Sequence, residues 1–218
     1  SMKILLPENI ADITLGQYQQ HYKLTNLLEQ KELTEEVYNK KVIELFSGIP
    51  YKDIDKVAHK DLQEVLQQIT TALNQDSDFE NRFTYKGVEY GFIPNLDEIT
   101  SGEYMDMNEY GIEVETLHNL MAVMFRPIKK VDKFGNYEIK KYKGTKKTAD
   151  IMTKAPMNIV NGMLVFFYNL QNELLRYTQK FIAEEQKRAL KRQSSLVNGG
   201  GIAHSTSSYV VRFGSLTR

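Results

Sequence analysis

The chain is predicted to be mainly α with small β-hairpins (α+β), a helical bundle organised on one long C-terminal helix, residues 156–193. Three observations predict this class. The run PMNIVNGMLVFFYNLQNELLRYTQKFIAEEQKRALKRQ has no proline after Pro156 and one glycine, Gly162. Within it Val160, Met163, Phe167, Leu170, Leu174, Tyr177 and Phe181 recur at alternating steps of three and four, which keeps an apolar seam on one helix face. RFTYKGVEYGFI and KKVDKFGNYEIKKY place strand-forming residues on either side of Lys86-Gly87 and Gly135-Asn136, as hairpins do.

In order, KILLP at 3–7 reads as an edge strand or an extended lead-in stopped by Pro7. Thr14 is a good N-cap for a helix from Leu15 to Gln30, with Tyr18, Tyr22 and Leu28 inward. Thr34 caps a second helix to Ser47, where Glu35 and Glu36 favour the positive helix end. Its apolar face is Val37 or Tyr38, Val42, Leu45 and Phe46, and Gly48 and Pro50 end it. Asp53 to Ala58 reads as a short turn of helix, and Lys60 to Asn74 as a third amphipathic helix with Leu62, Val65, Leu66, Ile69 and Leu73. Residues 1–75 are thus expected to form an N-terminal helical bundle.

Residues 76–193 are expected to add hairpins and helices that pack with the bundle as one globular unit. The polar stretch DSDFENRF leads into the first hairpin, and Pro94-Asn95 turns the chain. Thr100 caps a helix carrying Tyr104 and Met107, closed by Gly111. EVETLHNLMAVMF, from Glu113 to Phe125, reads as another amphipathic helix stopped by Pro127. The second hairpin is highly charged and expected to project. Thr145 to Lys154 reads as a short helix, and Pro156 suits the first turn of the long one. Ile159, Leu164, Val165 and Phe166 widen the seam, so the first half of that helix should be buried on most sides. At 1.5 Å per residue it would run about 57 Å, roughly twice the depth of a small domain, so its far end is expected to protrude or meet another subunit. Residues 194–218 read as a flexible tail with a strand-competent end at Tyr209, Val210, Val211 and Phe213.

Composition narrows the function classes. With 41% hydrophobic and 26% charged residues over 218 positions, a core of ordinary size is expected. Lys+Arg and Asp+Glu are both 28, so no net field draws the chain to nucleic acid or acidic membrane. No cysteine is present, which excludes disulfides and thiolate metal sites and fits a reducing compartment. No apolar run reaches the ~18 residues of a membrane span, and SMKILLPENI lacks the apolar region of a secretory signal. Ser1 ahead of Met2 reads as a cloning remnant. The expectation is a soluble cytoplasmic protein with no membrane partner.

One stretch echoes another. Asp12-Ile13-Thr14-Leu15-Gly16-Gln17-Tyr18 matches Glu98-Ile99-Thr100-Ser101-Gly102-Glu103-Tyr104: acid, Ile, Thr, any residue, Gly, Gln or Glu, Tyr. Thr would cap each helix and the Gln or Glu would reach back as in a capping box. Either capped amphipathic helices look alike by chance, or two related helix pairs flank an inserted hairpin.

Signals for catalysis are thin. The histidines are His21, His59, His118 and His204. Glu115 and His118 make one E-x-x-H pair, whereas a di-iron bundle needs two plus two further carboxylates. Asp76, Asp78 and Glu80 alternate like the start of a calcium loop but lack its glycine and closing glutamate. Gly199-Gly200-Gly201 neither follows a strand nor opens a helix, so it is no phosphate loop. No catalytic residue, no metal and no cofactor is therefore expected. Lys187, Arg188, Lys191 and Arg192 suit the negative end of the long helix. A denser basic patch, Lys129, Lys130, Lys133, Lys140, Lys141, Lys143, Lys146 and Lys147, surrounds the second hairpin. It is the candidate contact for nucleic acid or an acidic partner, while a solvated hairpin is the commoner explanation. Methionines concentrate between 105 and 163, which suits surfaces that repack against partners.

GFIPNLDEITSGEYMDMNEYGIEVETLHNLMAVMFRPI (91–128) and MNIVNGMLVFFYNLQNELL (157–175) resemble small proteins encoded in the virion-morphogenesis regions of tailed bacteriophages. Some of these look like tail assembly chaperones, mostly helical proteins that hold tail components before assembly. The resemblance implies a non-enzymatic protein of virion (tail) assembly or a minor virion component, in the host cytoplasm during assembly or in the particle. Its partners would be further copies of itself or other phage structural proteins. Leu174, Tyr177 and Phe181 would supply a helical contact, and Tyr209, Val210, Val211 and Phe213 a strand added to a neighbour's sheet edge. The alternative is a nucleic-acid-binding accessory protein using residues 129–147. A metal-dependent enzyme at Glu115 and His118 is the weaker alternative.

Overall fold

A computed structural model of the chain describes residues 6–197, with Leu174 and 192–197 described by backbone alone. The protein is α+β, and the chain divides into two compact units, Ser1–Asn169 and Leu170–Arg218. Most of KILLP, and Tyr209, Val210, Val211 and Phe213, lie outside the described residues.

The helices begin where their caps stand. α1 (Leu15–Glu29) starts at Thr14 and α2 (Glu35–Ser47) at Thr34, each hydroxyl accepting the N–H three residues on. Gly48, left-handed at φ 72°, ends α2. α3 (Tyr51–Ile54) is shorter than the expected Asp53–Ala58 turn and begins earlier, directly after Pro50, whose fixed φ suits a helix start. α4 (His59–Leu73) buries Ile69 and Ala72. On α1 the expected inward set is corrected: Leu15 and Gln19 are buried, Tyr18 and Leu24 pack on the core, and Tyr22 and Leu28 are only half-buried.

β1 (Arg82–Tyr85) and β2 (Val88–Phe92) form the expected first hairpin. Lys86 and Gly87 both have positive φ, 47° and 75°, the backbone of a type I′ turn. α5 (Ser101–Tyr110) starts at Thr100 and stops at Gly111 as expected, yet it buries Glu103 and leaves Tyr104 exposed.

The predicted helix from Glu113 to Phe125 is only partly present. A 3-10 turn at Val114–Thr116 leads into α6 (Leu117–Met124), and the chain then extends as β3 (Phe125–Val131). Pro127 accounts for the switch, because a proline disfavours helical backbone at the residue before it and has no N–H to offer. β3 pairs antiparallel with β2 (Phe92↔Phe125, Gly91↔Arg126, Tyr90↔Pro127) and with β4 (Tyr137–Ile139). The two hairpins are therefore halves of one four-stranded sheet in the order β1-β2-β3-β4. α7 (Ala149–Met152) is the core of the expected Thr145–Lys154 helix.

α8 (Met157–Val197) follows Pro156 directly. Ile159, Val160 and Met163 are buried, and Leu164, Phe166 and Phe167 pack on the core, but Val165 faces out. Gly162 lets α8 lie against the backbone of Asp78 and Phe79, where a Cβ would overlap the Asp78 carbonyl and come within 3.0 Å of Phe79 Cα. Ile13, Leu15, Leu117, Met121, Phe125, Met152, Met157 and Met163 fill the middle of the first unit. The start of α1 is tied to the start of α8 by backbone bonds: Leu15 N–H to Ala155 O (2.9 Å), Gly16 N–H to Thr153 O (2.7 Å) and Met157 N–H to Ile13 O (2.8 Å).

The echoed segments fold alike. Gln17 and Glu103 each close a capping box with Thr14 and Thr100. The likeness extends further upstream, since each copy is preceded by a 3-10 turn (Ile10–Asp12, Leu96–Glu98) whose Asn9 or Asn95 side chain accepts a backbone N–H. The copies differ in charge. Gln17 reaches Leu45 O at 3.3 Å, whereas Glu103 forms an ion pair with Arg126 of β3, their side chains only 4% and 10% exposed. Arg126 Nε is buried without an acceptor, and the guanidinium lies 5.5 Å from the centroid of the Tyr142 ring. Burial works to raise the Glu103 carboxyl, but Thr100's hydroxyl and N–H, with Arg126, outweigh it and hold the group below its ordinary range.

Two histidines are half-buried. His21 Nε2 lies 3.0 Å from Tyr38 Oη, and Gln19 Nε2 donates to His118 Nδ1 at 2.9 Å. Burial lowers the pKa of both; at His118 Asp150 works against it and Lys23 with it. A lowered native value means the unfolded chain binds protons first, so stability is complete above the free-histidine value of about 6.5 and falls as pH drops through it. Urea midpoints are expected to fall between about pH 7.5 and about pH 5.5. The fall should shrink in the His21→Gln/His118→Gln variant.

Candidate interaction surfaces

The β3–β4 hairpin tip is built by Asp132. Its carboxylate accepts the N–H groups of Phe134 (2.8 Å) and Asn136 (2.9 Å) and the Asn136 side-chain amide (2.9 Å). The Asn136 amide and the backbone donors hold that carboxyl below its ordinary value. Asp132 is thus spent on the turn rather than on neighbouring lysines. Phe134, with its bonds to the turn made through its backbone, leaves its ring 78% exposed, and the Lys133 ammonium sits 4.9 Å from the ring centroid.

The tip is anchored to β1. The Arg82 guanidinium stacks over the Tyr137 ring at 4.4 Å, donates to Gly135 O, and faces Glu89 at 3.5 Å. Tyr137 Oη donates to Phe92 O at 2.9 Å. Burial, as the largest influence, raises the Tyr137 phenol, while Arg82 opposes it. Beside this anchor lies a cavity of about 450 Å³, lined among others by Phe79, Arg82, Asn95, Asn136, Tyr137 and Phe166. Phe79 and Phe166 stack there with centroids 4.6 Å apart.

Lys129 and Lys130 lie on β3, Lys140 and Lys141 follow β4, and Lys146 and Lys147 precede α7. All six are exposed, as are Lys133 and Lys143. Lys130 stands opposite Glu138 in the β register. None of the eight makes a salt bridge with a carboxylate among the described residues.

In the second unit, Tyr177 and Phe181 are one helical turn apart on α8 and are 70% and 64% exposed. Leu174 is in the same helix; its side chain is not described. Leu175 and Ile182, seven residues apart and also exposed, form a second row on a different face of the helix, which the three-four seam passed over. An i, i+7 count would have found it. Arg188 pairs with Glu185 at 2.9 Å.

The remaining candidates separate in space. His118 is engaged by Gln19, and among the described residues no three His, Asp or Glu side chains are grouped to hold a metal ion. Asp76, Asp78 and Glu80 are exposed, and Glu80 accepts from Asn158 at 2.8 Å. No described helix is long and apolar enough to cross a membrane. The sequence reading missed Phe134, Arg82 and the cavity. Phe134 was visible as an aromatic in a charged turn, whereas the cavity joins segments with no common pattern. No family model, no curated protein and no solved structure matches this chain.

Proposed function

We propose that the protein is a non-enzymatic component of tailed-phage virion assembly that works by pairing helices with a second copy of itself. The resemblance of residues 91–128 and 157–175 supplies the setting, with action in the host cytoplasm during assembly or within the particle. The observation behind the pairing is the exposed pair Tyr177 and Phe181, one turn apart on one helix face. Large apolar groups exposed side by side mark contact surfaces. Three-four spacing suits another helix, and in a parallel pair Lys180 of one copy would meet Glu185 of the other across the seam.

Sedimentation or light scattering tests this. The wild type is expected to show a concentration-dependent dimer, and Tyr177→Glu/Phe181→Glu to remain monomeric with unchanged far-UV circular dichroism. Both substitutions sit at exposed positions, so they should leave the first unit intact. A wild type that stays monomeric at the highest attainable concentration removes the pairing, and absence from both assembly intermediates and purified particles removes the setting.

A further inference from the structure

We propose that the β3–β4 hairpin and the cavity beside its tip bind single-stranded nucleic acid, with phosphates over the lysines and an unstacked base in the cavity. This stands apart from the α8 contact and does not rest on it. The balanced charge of the whole chain conceals a local excess: residues 129–150 hold eight lysines against Asp132, Glu138 and Asp150. Asp132 is committed to the turn, and the eight lysines have no salt-bridge partner among the described residues. Cations spread over β3, the hairpin tip and the segment after β4 suit a polyanion better than one isolated phosphate.

The cavity selects among polyanions. Its 450 Å³ falls within the range of small-molecule sites, with Phe79, Tyr137 and Phe166 in its wall. Asn95 and Asn136 also line it; the Asn95 oxygen and the Asn136 NH2 serve their own turns, which leaves the Asn95 NH2 and the Asn136 oxygen for a base edge. Phe134 offers an exposed ring face beside Lys133 for a neighbouring base. Aromatic platforms within a cationic surface are the recurring means of holding single strands, because every base has a π-face. A duplex keeps its bases stacked and offers neither ring a partner. An acidic membrane fits less well. The exposed apolar residues at the tip are Val131 and Phe134, with Asp132 and Lys133 between them, far short of an inserted apolar face.

Fluorescence anisotropy on the full chain tests the proposal, using labelled single-stranded oligonucleotides of mixed sequence, DNA and RNA, beside the corresponding duplex and phosphatidylserine-containing vesicles. Single strands are expected to bind more tightly than duplex, with affinity falling linearly in log salt. Lys129→Glu/Lys130→Glu/Lys140→Glu/Lys141→Glu should weaken binding by about tenfold or more and flatten the salt slope. Phe134→Ala, at an exposed site, should weaken it roughly fivefold or more with the slope unchanged. Absence of binding at low salt overturns the proposal. So does duplex binding equal to single-strand binding with Phe134→Ala silent, charge reversal without effect, or binding to vesicles but not to oligonucleotides. A monomeric wild type would sink helix pairing and leave these outcomes equally decisive.

Discussion

Replacing Arg126 by Met is expected to destabilise the protein by about 3–5 kcal/mol, measured by urea unfolding at neutral pH. Met approximates the volume of the aliphatic stem, so the loss comes from charge rather than a void. Glu103 would be left ionised in a site where its side chain is 4% exposed. The pH dependence carries the diagnosis. In the wild type the depressed Glu103 pKa contributes stability present above its unfolded value and lost as pH falls through the native value. Without Arg126 burial is opposed by Thr100 alone, so the carboxyl takes up a proton at higher pH than in the wild type and the gap between variant and wild type should narrow on acidification.

Adding Glu103→Gln should recover most of the loss at neutral pH. Gln17 shows why: at the equivalent position it keeps both capping-box bonds to Thr14 without a charge. The ion pair is also imperfect, since Arg126 Nε has no acceptor, so a neutral pair need not be worse than the charged one. An Arg126→Met variant as stable as the wild type, with the same acid profile, would show that the pair is not closed in solution.

Gly162→Ala sets two effects of opposite sign against each other. In an exposed helix Ala would be favoured over Gly by about 1 kcal/mol. Here the added methyl meets the Asp78 carbonyl and the Phe79 Cα, backbone atoms that cannot rotate away. Overpacking of this kind costs about 1–3 kcal/mol, so a net loss of stability is expected. The shift should also disturb the Phe79–Phe166 stack and hence the cavity beside it. A thermal midpoint above that of the wild type would mean that α8 does not approach this segment so closely.

What was legible in the sequence was whatever short-range chemistry decides. Thr14, Thr34 and Thr100 marked helix starts, Gly48 and Gly111 marked ends, and Lys86-Gly87 marked a turn, because each acts within one turn of backbone. MAVM is helical as its spacing predicts, but the strand that begins at Phe125 was not legible, because it is stabilised by β2, a partner distant in sequence. Glu103 was taken only as a cap because its second partner, Arg126, arrives through tertiary packing. The lysines of the candidate surface were plain from composition. Whether they pair with carboxylates was not, since that depends on where the folded hairpin places Asp132, whose oxygens meet the turn's own N–H groups.

The backbone bonds that join Ile13, Leu15 and Gly16 to residues 153–157 bear on synthesis of the protein. The N-terminal helices leave the ribosome long before the segment they zip against exists. Ile13 and Leu15, fully buried in the finished molecule, have no lasting cover on the nascent chain until translation passes residue 157. Closure of the core is therefore a late, non-local event, the kind that slows folding and leaves sticky surface open to chaperones while it waits.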